Sequence, residues 1–174
     1  DVEVQARVNF FEDQRTLRFE GADSRIEGQD ASLRFVGRGE WSFDALAYVQ
    51  ARNFSNVIIS STRFVPVLDQ RNTPSTGLGG KFELRPPISE AHDVRVGVDY
   101  RRADGELFED AISSFTGLIR ERRNAGGNTS NLGFLVEDDW QTRPLLLPVG
   151  LRADNTQIHD RLLPPDPGFA LPPD

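Results

Sequence analysis

Polar and apolar residues alternate along most of this chain. Val2, Val4, Ala6, Val8 and Phe10 are interleaved with Glu3, Gln5, Arg7 and Asn9. The same two-residue period runs through Ala31, Leu33, Phe35, Gly37, Gly39 and Trp41, then through Phe43, Ala45, Ala47, Val49 and Ala51. It returns in Thr76, Leu78, Gly80, Phe82 and Leu84, and in Val94, Val96, Val98 and Tyr100. Leu132, Phe134, Val136 and Trp140 form a stripe interrupted by Asp138, and Leu145, Leu147, Val149 and Leu151 form the last. Successive side chains of a strand point to opposite faces, so each segment reads as a strand with one apolar face. No long segment carries the three-and-four spacing of an amphipathic helix. The expectation is an all-β chain of about seven antiparallel, up-and-down strands.

The links between the stripes alternate in length. Those at Trp41 to Phe43, at Pro86 to His92 and at Gln141 to Pro144 are short. Between them lie polar stretches at 12–25, 54–74 and 109–127, read as long loops. In an up-and-down sheet, alternate links lie at opposite ends, so all long loops would share one end. Transmembrane β-barrels have that asymmetry, with short periplasmic turns and longer outer loops. Alternation alone also fits a water-soluble antiparallel sandwich or barrel with one buried face.

Aromatic residues add a second signal. Trp41, Phe43 and Trp140 flank short links, and Tyr100 ends its stripe on the long-loop side. They are candidates for the two aromatic girdles of a membrane barrel, where amphipathic rings sit at headgroup level. After Tyr100 the pattern changes: Arg102, Asp104 and Glu106 stand where valines would continue. A strand leaving hydrocarbon for water becomes polar on both faces in this way.

Composition narrows the chemistry. The formal net charge of −7 disfavours nucleic acid as a partner. There is no cysteine, hence no disulfide or thiolate metal site. No run approaches the roughly 18 apolar residues of a membrane helix. The chain has no methionine and no signal peptide, and it starts inside a stripe, which reads as a piece of something longer. His92, beside Glu90 and Asp93, reads as part of a solvated turn, and His159 is isolated. The run Gly77 to Phe82 lacks Walker spacing and reads as close backbone packing in a strand. The basic run Arg120 to Gly127 reads as a solvated loop. No catalytic constellation stands out, so no enzyme and no cofactor are expected. Arg34, Arg38, Arg52, Arg95 and Arg101 fall on the polar face. They could attract an anionic ligand, or pair with Glu40, Asp44, Glu83 and Asp99 across strands.

Taken in series, five segments resemble the β-barrel of TonB-dependent outer-membrane receptors. They are VNFFEDQRTL, WSFDALAYVQARNFSN, LDQRNTPSTGLGGKFEL, VGVDYRRADGELFED and RRNAGGNTSNLGFLVEDDWQ with LLLPVGLRAD. The resemblance spans roughly residues 5–160 and implies a barrel of about 22 strands with a plugged lumen. It also implies residence in the outer membrane of a Gram-negative bacterium and uptake of a siderophore, cobalamin or a glycan. The implied partners are outer-membrane lipid, the rest of the barrel and its plug, the TonB complex and a small-molecule ligand. On this reading residues 1–159 are a partial barrel and 160–174 a Pro-rich loop or tail. Loops 54–74 and 109–127 would meet the ligand. Pro148 departs from the pattern and predicts a bulge. The alternative is a self-contained eight-stranded barrel acting as a binding or structural module, its extra strand drawn from residues 15–21.

Overall fold

A computed structural model describes residues 1–162. Seven strands form one sheet in sequence order. They are β1 (Val2–Thr16), β2 (Asp23–Gly37), β3 (Ser42–Ile59), β4 (Pro66–Arg85), β5 (His92–Ile112), β6 (Ile119–Thr142) and β7 (Leu145–Leu162). Every neighbouring pair is antiparallel. The sheet is open, because β1 and β7 touch only β2 and β6. The tail expected from residue 160 falls outside the described residues, apart from 160–162, which end β7.

The long polar stretches are mostly strand, not loop. Residues 12–16 and 23–25 extend β1 and β2, and residues 54–59 and 66–74 extend β3 and β4. Residues 109–112 and 119–127 do the same for β5 and β6. The expected difference in loop length is therefore a difference in how far polar hairpins project. Backbone pairing survives without an apolar face because each N–H and C=O still finds its cross-strand partner. The stretch 15–21 forms the end of β1 and a turn, so it supplies no eighth strand. Pro148 causes no bulge: the β6/β7 register runs unbroken through Asp139–Pro148. An edge strand tolerates proline because alternate N–H groups point away from its single partner.

Three turns at this projecting, upper end share one design. Residues 17–22, 60–65 and 113–118 are each closed by a bond from the first N–H to the sixth carbonyl, at 2.8, 2.8 and 2.9 Å. In each, the fifth residue has positive φ: Gly21 at 76°, Phe64 at 57° and Gly117 at 71°. Ser60 Oγ and Ser113 Oγ each accept the N–H of the residue three further on, at 3.3 Å. Phe64 occupies a conformation that glycine adopts without steric cost. Its ring meets Phe19 edge-on at 5.3 Å, and Arg63 lies 3.5 Å over the Phe115 ring. These contacts tie the three upper turns to one another.

Among the described residues, nothing forms a second layer on the sheet. Among the described residues, the buried apolar side chains are Ala22 and Ile59, 5% and 8% exposed, both beside the upper turns. Phe64→Gly should relieve the backbone strain yet free the Phe19 turn. Amides 17–22 should then exchange with solvent faster while those of β3 stay protected, as hydrogen exchange would show.

Candidate functional site: a slanted apolar band and a face of paired charges

Register turns the seven stripes into one band. The row Val4, Phe35, Ala45, Phe82, Val98, Phe134 and Ala153 crosses all seven strands on one face. The band does not run parallel to these rows. Its upper limit is Phe10 in β1, and the row of Phe10 reaches β7 at His159, yet the β7 stripe already ends at Ala153. Its lower limit is Val2 in β1, and the row of Val2 reaches β7 at Leu151, yet the β7 stripe runs on to Leu145. Both limits slide by about six residues over six strand steps. One residue per strand, at about 3.3 Å of rise and 4.8 Å of spacing, makes the strands cross the band about 35° off its normal. Val2 to Phe10 then gives a band about 22 Å tall.

The aromatic candidates lie against this slanted outline. Tyr100 stands at its upper limit in β5, with Arg102 next on that face. Trp140 stands at the lower limit in β6, opposite His92, and Trp41 directly precedes β3 at the lower limit there. Phe43 lies one row inside and stacks on Phe82 at 6.4 Å. Because the limits slope, Trp41 and Trp140 share a level that the hydrogen-bonded rows alone would not give them.

His92 is not part of a solvated turn. It is the first residue of β5, its ring stacks on Trp140 at 5.8 Å, and its Nδ1 lies 2.6 Å from Asp138 Oδ2. Sequence reading saw Asp138 as an interruption and missed its partner, since the two are 46 residues apart. Register places them diagonally on the apolar face. His92→Leu leaves the Asp138 carboxylate without this partner in an apolar setting and should destabilise the β5/β6 hairpin by about 2 kcal/mol. Asp138→Leu in the same background should recover most of that loss. Urea titration of all three proteins in detergent checks both steps.

The opposite face is polar and charge-paired. Arg34 bonds Asp44 at 2.9 and 2.6 Å, and Lys81 lies 3.3 Å from both Asp44 and Glu83. Arg38 pairs with Glu3 at 2.7 Å, Arg52 with Asp30 at 2.5 Å, and Arg95 with Glu137. Of the expected carboxylate partners, Asp44 takes Arg34, Asp99 takes Arg152 at 2.9 Å and Glu83 takes Lys81. Arg101 differs: it borders a hollow of about 350 Å³ with Tyr48, Lys81, Asp99 and Arg152, and no ion pair engages it among the described residues. Tyr48 can lie across the sheet because Gly79 faces it; a Cβ there would stand 2.6 Å from the phenol oxygen.

No protein-family model, curated protein or solved structure matches this chain.

A third feature belongs to the upper hairpins. A register shift in β4 between Gln70 and Asn72 makes Arg71 an extra residue, and its Nε comes within 3.2 Å of Asp110. Arg122 approaches the same carboxylate at 3.3 Å, and Arg123 holds Glu109 at 3.0 Å. Asp110 is 4% exposed. Asp69 is its direct cross-strand neighbour. Burial, and then the charge of Asp110, hold the Asp69 carboxyl above the usual carboxylate range. The sequence showed this basic run as a loop because the partners sit on other strands. A raised folded pKa favours the protonated acid, so this contribution to stability is present below the unfolded pKa. It is lost as pH rises through the folded pKa. Asp69→Asn should therefore be more stable than the parent at neutral pH, with a flatter fall in stability as pH rises from the acid side. Unfolding curves measured across that range check the sign.

Proposed function

We propose that this chain is a stretch of the wall of a transmembrane β-barrel, in a TonB-energised outer-membrane nutrient receptor. One observation carries the membrane part of this reading: the apolar band, which no described residue covers, is continuous over seven strands and slanted by about 35°, within the tilt range of membrane barrels. A water-soluble sandwich would lay a second sheet on such a face. The band's nine residues in β1 match the roughly 9–11 that a tilted strand needs to cross hydrocarbon. The apolar face meets lipid, the paired-charge face lines a wet interior, and the upper hairpins project into the external medium.

The receptor part rests on the resemblance of the five segments. On that reading the ligand is a siderophore, cobalamin or a glycan, first met by the upper turns. Phe64 and Phe115 stand at their tips, 65% and 79% exposed. Arg101 and the hollow beside it offer an anionic ligand a contact further inside. The plug and the TonB contact belong to other parts of such a receptor.

Trp41 and Trp140 are the chain's two tryptophans, so their fluorescence reports depth directly. In vesicles of lipids brominated at successive acyl positions, quenching should be strongest for bromines nearest the headgroups and fade towards the bilayer centre. Quenching absent at every depth would sink the membrane reading.

A further inference from the structure

Arg101 carries a charge that its neighbours leave unbalanced. Lys81 lies 3.3 Å from both Asp44 and Glu83, and Arg152 lies 2.9 Å from Asp99 and 2.7 Å from Asp154. Each of these cations is held between two carboxylates. Arg101, beside them on the same face, is exposed and has no ion pair among the described residues. The next row up, Gln50, Gly77, Ala103, Thr129 and Ile158, holds no charge, so it offers Arg101 no carboxylate.

The floor beside Arg101 is an aromatic platform. Tyr48, Gly79 and Arg101 are direct cross-strand partners in one row. A Cβ on Gly79 would stand 2.6, 2.7 and 2.8 Å from the Oη, Cζ and Cε1 of Tyr48. Near-equal distances to three bonded atoms put that point over the face of the ring, not at its edge. One face of the phenol ring therefore covers Gly79, and the other is turned away from the sheet. Asp99 and Glu83 border the same hollow of about 350 Å³. That volume is at the small end of ligand pockets, the size of a single ring with its substituents.

Resting on the reading that this face lines a wet interior, we propose that the hollow is a subsite for a sugar acid, one hexuronate ring of an acidic glycan. The carboxylate of the ring accepts from the Arg101 guanidinium, a charge-assisted pair. The C–H face of the sugar lies on the open face of Tyr48. Its hydroxyls donate to Asp99 and Glu83, whose carboxylates can accept several bonds each and so keep capacity beyond their present ion pairs. Those two acids also set the charge of the ligand. One unbalanced guanidinium matches one negative charge, and a second charge would be repelled by the acids at the rim. A hydroxylated monocarboxylate meets all three demands; a phosphate ester, a neutral sugar and a bare carboxylic acid each fail one.

Saturation-transfer NMR titrations of the chain in detergent test this with four probes: glucuronate, glucose, glucose 6-phosphate and cyclohexanecarboxylate. Glucuronate should bind, and the other three should each bind at least about tenfold more weakly. Arg101→Gln should weaken glucuronate by about tenfold or more and abolish its preference over glucose. Arg101 is exposed, so this variant keeps the sheet, which circular dichroism verifies. Tyr48→Ala should lower glucuronate affinity about fivefold and leave its preference over glucose 6-phosphate in place. Absence of glucuronate binding would overturn the proposal. So would tighter binding of glucose 6-phosphate, or parental affinity in Arg101→Gln. Glucuronate binding by a chain that stays folded in water without detergent would support the subsite and remove the membrane reading; tryptophan quenching at headgroup depth without glucuronate binding would remove the subsite alone.

Discussion

An apolar face that none of the described residues covers is the constraint on which the rest depends. Burying apolar area is worth about 25 cal/mol per Å², and a sheet ordinarily gains it by packing against another layer. Here seven strands form one layer, and the described residues place no second element against it. Phe35, Phe82, Val98 and Phe134 lie along a single row of that face. Backbone pairing holds the strands together; on the proposed membrane reading, the driving force for this fold comes from the surrounding lipid. The same requirement explains why strand pairing continues above the band while the apolar pattern stops at Tyr100.

The other features follow from that division. On the proposed reading a wet interior needs charges, and charges facing one another across strands need pairing, as in the alternating set of Arg34, Asp44, Lys81 and Glu83. Above the band both faces are polar and the hairpins lose apolar support. There the structure substitutes a buried acid–guanidinium cluster around Asp110 and a clasp of Phe19, Phe64, Phe115 and Arg63. His92 and Asp138 sit at the opposite, lower limit, where a paired imidazole and carboxylate are least costly within an apolar face.

Most of the sheet was legible because period-2 alternation survives wherever one face is apolar. Val94 to Tyr100 shows this, and the far end of β5 shows its limit, because a loop was expected from residue 109. Glu109 to Ile112 stays in strand because its partners in β6 supply the ladder, and that information lies in neither segment alone. The same limit hid the slant of the band, which exists only once six registers are combined. It hid His92 with Asp138, and Asp110 between Arg71 and Arg122. Single-segment patterns reveal which residues share a face; they do not reveal which strands bring them together. The repeated turn was partly visible: Ser60 and Ser113 both open with paired serines, but Phe64 stands where glycine would have marked the positive φ.

The central claim is that the slanted band spans a bilayer with the strands inclined to it. Polarised infrared dichroism of the amide I band, on the chain in oriented bilayers, measures that inclination directly. The account predicts strands inclined about 35° to the bilayer normal. Strands lying in the plane of the membrane, or a protein that leaves the bilayers for water, would contradict it.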